Sequence, residues 1–236
     1  MQPGDDMGSV DLIEVRSGRW LRPLQWLAVA VLLMILPAGA VARPGNATAS
    51  AASSTHVYLL RGVLNIFSLG LDDIASKLRQ QGFNVTITNY IYWSSLADEA
   101  AAEYRSGRTR TIVLVGHSSG ATALPDMVAR LDQLGAPVKL AIGLDSVFRT
   151  SLSGRVGRYI NFYVANGNGE PVAKTRQFRG ELENVDVGRL GMAHLTIDKS
   201  EIMQRKVISA IDAAAFSHPG PAVTPRAEAS APAASR

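Results

Sequence analysis

The feature that most constrains this chain is an alternation between short apolar runs rich in β-branched residues and longer segments with helical spacing, which extends from His56 to Phe216. The short runs are typical of buried strands, and the longer segments repeat their apolar residues three or four positions apart, as amphipathic helices do. Alternation of this kind predicts right-handed βαβ units joined into one sheet. We therefore expect an α/β fold over residues 56–216, a single domain with a mostly parallel sheet and helices on both faces.

The individual elements follow from the same patterns. Strands are predicted at residues 57–60, 83–88, 111–116, 138–144, 159–165 and 184–187. Helices are predicted at residues 71–81, 96–104, 119–134 and 197–216, and Pro125 is expected to disturb the second turn of the third helix. No insertion between the strands is long enough for a large lid domain, so we expect an open site. Parallel sheets of this kind bind ligands at the carboxyl ends of their strands. We therefore expect the functional residues directly after the predicted strands.

The two ends of the chain differ in character from the central part. Residues 1–42 combine arginines, an apolar stretch and the small-residue sequence Ala40-Val41-Ala42, which is typical of a secretory signal peptide; a retained N-terminal membrane anchor is the alternative. Residues 43–55 are predicted to be a flexible linker, and the Ala- and Pro-rich residues 217–236 a disordered tail. We therefore expect an exported protein, periplasmic or secreted, or else one anchored to the membrane through residues 24–42.

Composition excludes several functional classes. The chain of 236 residues has no cysteine, which excludes a disulfide scaffold and a thiolate zinc site. Its 24 basic residues are scattered among 20 acidic ones and form no run, so the net charge of +4 is interpreted as a solvated surface rather than a nucleic-acid interface. No metal-ligand spacing, phosphate-binding loop or dinucleotide fingerprint occurs, so neither a metal nor a cofactor is expected. The oligomeric state stays open.

A serine on a sharp turn is the strongest functional signal in the sequence. Residues 116–120 read Gly-His-Ser-Ser-Gly, directly after the predicted strand 111–116 and at the start of the predicted helix 119–134. In a G-x-S-x-G turn the serine hydroxyl projects above the sheet edge, and side chains at the glycine positions would collide with the neighbouring strand or helix. Ser118 is thus the candidate nucleophile, and a glycine-rich turn without a catalytic role is the alternative.

This segment resembles the nucleophile elbow of the α/β-hydrolase superfamily, the group that includes lipases, esterases and thioesterases. The resemblance covers residues 57–216 in element order, whereas its specific motifs occupy a few short stretches. It implies a nucleophile, an acid and a base in that order along the chain, with the base in the loop before the last helix. It also implies two backbone amides that bind an oxyanion, one after the nucleophile and one after the first strand.

The candidate base comes from four histidines, because a serine hydroxyl needs an imidazole to accept its proton. His56 opens the first strand, and His218 lies in the expected tail. His117 fills the variable position of the elbow and is expected to point away from the reaction face of the nucleophile. His194 remains, in the loop before the last predicted helix, and is the candidate base.

Asp145 is the candidate acid. It follows the predicted strand 138–144 and therefore stands on the side of the sheet where a site is expected. Its Gly-Leu-Asp context resembles those lipases that carry the acid one strand after the nucleophile. Asp186 and Glu170 are the alternatives, and a structural role for Asp145 within its loop is another.

For the oxyanion, the resemblance implies the backbone amides of Ser119 and Val63, with Leu64 as the alternative to Val63. Arg61 stands where many lipases have a histidine before the donor residue, and this departure leaves a backbone donor in place. Each donor of this kind contributes about 3 kcal/mol of transition-state stabilisation.

Together these residues predict an exported serine hydrolase that cleaves a carboxylic ester or thioester through an acyl-enzyme on Ser118. The expected partner is a small-molecule or acyl substrate and not a nucleic acid. Two alternatives stay open. One is a noncatalytic binding or envelope protein that retains the fold, which the loss of a competent acid would favour, and the other is an acyltransferase.

Overall fold

The computed structural model of the chain describes residues 44–63, 65–167 and 169–216; the expected signal or anchor at residues 1–42 and the expected tail at 217–236 lie outside them. The described helices are α1 (Pro44–Ser53), α2 (Gly70–Gln80), α3 (Trp93–Arg105), α4 (Ser119–Gln133) and α5 (Glu201–Phe216). The described strands are β1 (Thr55–Arg61), β2 (Asn84–Asn89), β3 (Thr111–His117), β4 (Val138–Leu144), β5 (Ser151–Leu152), β6 (Arg155–Tyr163), β7 (Ala173–Lys174) and β8 (Arg179–Asp186). No helix among these residues is both long and apolar enough to cross a membrane.

Six strands form one sheet in the order β2-β1-β3-β4-β6-β8, and every neighbouring pair is parallel. β5 and β7 form a separate two-stranded parallel ladder. The predicted α/β fold with a mostly parallel sheet is thus confirmed. After β2 the chain crosses back to form β3 on the other side of β1, so the strand order reverses between β1 and β3. A crevice that can hold a ligand opens at such a reversal, outside the carboxyl ends of the two strands.

The central strands divide their apolar side chains between two cores, because successive residues of a strand point to opposite faces of the sheet. On one face Leu59 and Val113 pack in a cluster with α2 and α5. On the other face Tyr58 and Leu114 pack in a cluster with α3 and α4. All four side chains are fully buried. Helices therefore cover both faces of the sheet, as the sequence predicts.

Residues 44–53 differ from the expected linker at 43–55. They form α1, which packs against β1 and α5, and its Ala52 is buried. Alanine is the strongest helix former, and proline is favoured at the first position of a helix, where Pro44 stands. The small-residue composition that suggests a linker therefore also suits a helix that has a surface to pack against.

The course of α4 and the starts of β6 and β8 also differ from the sequence prediction, and in each case contacts with other elements explain the difference. Pro125 lies within α4, yet the helix continues to Gln133, because the buried residues around it pack on the sheet and on α3. β6 and β8 begin at Arg155 and Arg179, ahead of the predicted residues 159 and 184, because these two arginines are register partners in the ladder. A strand extends as far as its neighbour offers hydrogen-bond partners, which local apolar patterns do not reveal.

A partly buried carboxylate, Glu103, joins several side chains at the amino end of the sheet, away from the candidate site. One oxygen of Glu103 accepts hydrogen bonds from the Tyr58 hydroxyl at 2.7 Å, His56 Nδ1 at 2.7 Å and Thr109 Oγ1 at 3.2 Å. Desolvation opposes ionisation of Glu103, but the hydrogen bonds from Tyr58 and His56 outweigh it and hold the pKa of this carboxyl below its ordinary value. The network therefore favours the folded protein with Glu103 ionised.

Glu103→Gln should lower the free energy of unfolding at pH 7 by about 1–3 kcal/mol, because it weakens hydrogen bonds to a charged acceptor. Since the folded-state pKa lies below the unfolded one, the contribution of the carboxylate is complete above the unfolded pKa and is lost as the pH falls through the lower, folded value. Urea unfolding at pH 7 and at about pH 3 should show a difference between variant and wild type that narrows in acid. Glu99→Gln, at an exposed position of α3, is the control; an equal deficit of Glu103→Gln at both pH values would contradict this account.

Candidate active site

Ser118 forms a strained turn between β3 and α4. Its backbone has φ 60° and ψ −124°, a conformation that residues with a side chain rarely adopt and that costs on the order of 1–3 kcal/mol. The Ser118 amide donates to the Leu144 carbonyl at 3.0 Å, and the Ser118 carbonyl accepts from the Thr122 amide at 3.0 Å. The strain is therefore held in place from β4 and α4, at the residue that the sequence singles out as the nucleophile.

Three glycines allow the backbone around this turn to pack closely. A Cβ at Gly116 would lie 2.5 Å from the carbonyl of Gly120, and a Cβ at Gly120 would lie 2.0 Å from the Leu60 carbonyl oxygen. A Cβ at Gly62, in the loop after β1, would lie 2.8 Å from the Cβ of Ser118. Side chains at these positions would push β1, β3 and α4 apart, so glycine is required at all three.

His194 lies beside Ser118, although 76 positions separate them along the chain. Its Nε2 is 3.1 Å from Ser118 Oγ, and its Nδ1 is 2.7 Å from Asp145 Oδ2. An ionised carboxylate can only accept hydrogen bonds, so Nδ1 carries a proton and Nε2 of the neutral ring is free to accept one from the serine. The described structure thus brings the three residues predicted from the sequence into one hydrogen-bonded chain.

Asp145 is fully buried at the end of β4, with a positive φ of 52°. Its Oδ2 accepts from His194, and its Oδ1 accepts from the Val164 amide at 2.8 Å. A Cβ at Gly169 would lie 1.8 Å from Oδ1, so the loop that carries Gly169 closes over the carboxylate. A buried carboxylate is costly unless its oxygens have donors, and here each oxygen has one.

The two alternative acids lie elsewhere. Asp186, at the end of β8, accepts from the backbone amides of Gly188 at 2.9 Å and Ala165 at 3.3 Å. Glu170 is half-exposed and forms an ion pair with Arg149 at 2.6 Å. Within the described residues neither carboxylate has a hydrogen bond to His194, so Asp145 is the carboxylate that contacts the imidazole.

The two residues predicted to donate to an oxyanion lie in the loop after β1 and at the start of α4. Ser119 is the first residue of α4, where an amide has no acceptor within the helix and the helix dipole favours negative charge. The amide of Gly62 is engaged with Ser68 Oγ at 2.9 Å, which leaves Val63 as the next amide of that loop. The alternative donor Leu64 lies outside the described residues.

Arg61 stands where many lipases have a histidine before the donor residue. Its side chain forms an ion pair with Asp72.

His117 connects three parts of the site, a role that sequence reasoning missed. Its ring is fully buried; Nδ1 accepts from Ser68 Oγ at 2.8 Å, and Nε2 donates to the backbone carbonyl of His194 at 2.9 Å. Burial is the main cause that lowers its pKa, and the nearby carboxyl of Asp198 opposes this effect. A neutral ring with one donor and one acceptor fits both contacts. Gly62, Ser68, His117 and the His194 backbone thus form a continuous hydrogen-bonded chain.

The expectation that His117 points away from the reaction face of Ser118 does not include these contacts of the ring with Ser68 and with the His194 backbone. A polar side chain next to a buried strand end needs partners, and that burial is the signal in the sequence that could have indicated a structural network. The partners themselves could not be inferred, because Ser68 and His194 come from loops distant in the chain.

Exposed apolar side chains surround the carboxyl edge of the sheet. Of the ten large apolar side chains that are exposed in the described residues, nine lie in loops that follow β1, β2, β4 and β8. We call these nine the apolar rim: Val63, Ile66, Phe67, Leu69, Ile91, Tyr92, Phe148, Leu190 and Leu195. Clustered exposed apolar residues mark binding surfaces, whereas scattered ones need no explanation.

Comparison with known proteins assigns no family to this chain. No protein-family model and no curated protein matches it. The chemistry of the site is therefore inferred from its own geometry. A serine on a strained turn, an imidazole within hydrogen-bond distance and a buried carboxylate behind that imidazole can generate an activated nucleophile.

His117→Phe should lower the free energy of unfolding by about 1–3 kcal/mol, because it leaves the Ser68 hydroxyl and the His194 carbonyl without their partner. It should also free the His194 loop and so reduce any turnover that depends on Ser118. Ser68→Ala is the matched variant: it keeps the bond between His117 and His194 and should therefore cost less in turnover. Urea unfolding and ester hydrolysis are measured on both variants. A larger loss of turnover in Ser68→Ala than in His117→Phe would contradict this role for His117.

Proposed function

We propose that this chain is a serine hydrolase of the α/β-hydrolase type that cleaves a carboxylic ester or thioester. One observation carries the proposal: Ser118 Oγ, His194 and Asp145 form a hydrogen-bonded series with distances of 3.1 and 2.7 Å. The parallel sheet and the reversal of strand order at β1 and β3 support it, since a site at this edge is expected in such folds.

The reaction follows from the role of each group. Ser118 Oγ attacks the acyl carbonyl carbon while His194 Nε2 accepts the hydroxyl proton, and Asp145 stabilises the resulting imidazolium. The amides of Val63 and Ser119 bind the oxyanion of the tetrahedral intermediate. When the intermediate collapses, His194 returns the proton to the leaving alcohol or thiol, and Ser118 holds the acyl group as an ester. Water, deprotonated by His194, then attacks this ester and releases the acid and the free serine.

The apolar rim supports a substrate whose acyl part is apolar. Its members lie in the segments after β1, β2, β4 and β8, which include the loops of Val63 and His194. An acyl chain bound at Ser118 could therefore cover several of them. Burial of apolar surface is worth roughly 25 cal/mol per Å², or about 0.8 kcal/mol per methylene. We expect affinity to rise with the length of the acyl chain for this reason.

The alternatives are less well supported. A noncatalytic protein of this fold has no need of a competent acid, yet Asp145 is buried and contacts the imidazole. Acyl transfer differs from hydrolysis only in the final acceptor, so products formed in the presence of an added alcohol distinguish the two. Export, with residues 1–42 as signal or anchor, is part of the proposal and depends on the sequence pattern alone.

Ser118→Ala and His194→Ala should each abolish hydrolysis of a short-chain aryl ester, and Asp145→Asn should lower kcat by about 10³-fold or more, because the imidazole loses its orienting acceptor. Asp186→Asn and Glu170→Gln are the controls, since neither carboxylate contacts His194. Steady-state kinetics and thermal melts of all five variants make the test. Near-normal turnover by Ser118→Ala, in protein that melts like wild type, would exclude the proposed nucleophile.

A further inference from the structure

The amino edge of the sheet, opposite the candidate active site, contains a cavity of about 590 Å³ with a basic wall. Arg110, Lys139, Arg155 and Arg179 line it, and the apolar Val138 and Val156 belong to the same lining. No acidic residue is part of this lining. Four of the 24 basic residues of the sequence, far apart along the chain, are therefore brought together here by the fold.

The four cations lie on four neighbouring strands. Arg110 directly precedes β3, Lys139 is the second residue of β4, and Arg155 and Arg179 are the first residues of β6 and β8. These strands are consecutive in the sheet. Because neighbouring strands lie about 4.8 Å apart, the strand starts form a row about 14 Å long. The chain positions are far apart, so the row exists only through the order of the strands.

The cations of this row differ from other exposed arginines of the protein in their ion pairing. None of the four cations forms an ion pair with a carboxylate within the described residues, whereas Arg149 and Arg158 each have one. Arg155 and Arg179 are direct register partners, and like charges in that position repel each other. Arg179 donates through Nη1 to two backbone carbonyls, which holds its guanidinium near the ladder without neutralising it. A bound anion would relieve this repulsion.

We propose that this cavity binds a soluble small molecule with two or more phosphate groups. Guanidinium groups match phosphate oxygens with paired donors, and a row of four cations suits several negative charges better than one. The cavity volume falls within the usual range for small-molecule sites, roughly 300–1,000 Å³. The site would act independently of the triad, which lies at the other edge of the sheet.

The distribution of apolar residues favours a soluble anion over a membrane surface. Amphipathic helices that bind bilayers bury an apolar face in them as well as presenting basic residues. None of the ten exposed large apolar side chains in the described residues belongs to this cavity, and nine of them form the apolar rim at the opposite edge. The basic wall therefore lacks the apolar anchors that a lipid surface would need.

The test uses inorganic pyrophosphate as the probe and the full chain as the protein, with titration calorimetry and thermal melts at low ionic strength. We expect saturable binding that weakens as salt is added, and a melting temperature that rises with pyrophosphate. The double variant Arg155→Gln/Arg179→Gln should weaken binding at least about tenfold, since it removes two charged donors. In the absence of pyrophosphate it should melt close to wild type, because relief of the repulsion offsets the loss of the Arg179 hydrogen bonds.

The control is Arg105→Gln/Lys206→Gln, which changes the net charge equally at exposed positions outside the cavity and should bind pyrophosphate like wild type. Should Arg155→Gln/Arg179→Gln fail to fold, Arg110→Gln/Lys139→Gln serves the same purpose. The proposal is overturned if wild type shows no saturable binding, if the cavity variants bind as well as wild type, or if the control loses as much. Binding to phosphatidylglycerol vesicles without binding to pyrophosphate would also overturn it, in favour of a membrane surface.

Discussion

The turn at Ser118 is the constraint on which the rest of the site depends. β3 ends and α4 begins at this residue, and the chain achieves this with a positive φ that costs on the order of 1–3 kcal/mol. Such strain persists where the surrounding packing fixes it, and the buried residues of β3 and α4 provide that packing on both sides. Because the strand order reverses between β1 and β3, the same turn lies against Gly62, which brings the loop after β1 to Ser118.

A second strained residue completes the arrangement. Asp145 ends β4, the neighbour of β3, also with a positive φ, and its carboxylate is fully buried. Removing one partner of a buried hydrogen bond leaves the other group unsatisfied, so the contact between His194 and Asp145 stabilises the fold as well as forming part of the site. His117 extends this coupling, because it fixes the backbone of His194 and, through Ser68, the amide of Gly62. The backbone of His194 and the loop after β1 are thus held by one buried ring.

The sequence predicts those parts of the molecule that local patterns determine. The apolar run of β3, the glycines at 116 and 120 and the helical period of α4 are local, so the turn at Ser118 could be predicted from them. Asp145 and His194 were selected by their place at a strand end and before a helix, and by the chain order of a resembling family. That they meet Ser118 follows only from the order of the strands.

Features that depend on distant neighbours could not be predicted. α1 forms where the composition indicates a linker, because β1 and α5 offer it a surface. The partners of His117 come from separate loops, and the basic row at the amino edge results from pairing β6 with β8. A parallel sheet makes its two edges chemically different in this way. The carboxyl edge carries the apolar rim together with Ser118, His194 and Asp145, and the amino edge carries four cations that form no ion pair within the described residues.

The most direct test of the site is a crystal structure of the protein after reaction with a fluorophosphonate, whose phosphonyl group mimics the tetrahedral intermediate. The account predicts a covalent bond to Ser118 Oγ, with the phosphonyl oxygen about 3 Å from the amides of Val63 and Ser119, as an oxyanion site requires. Unmodified Ser118, or a phosphonyl oxygen directed away from both amides, would contradict it.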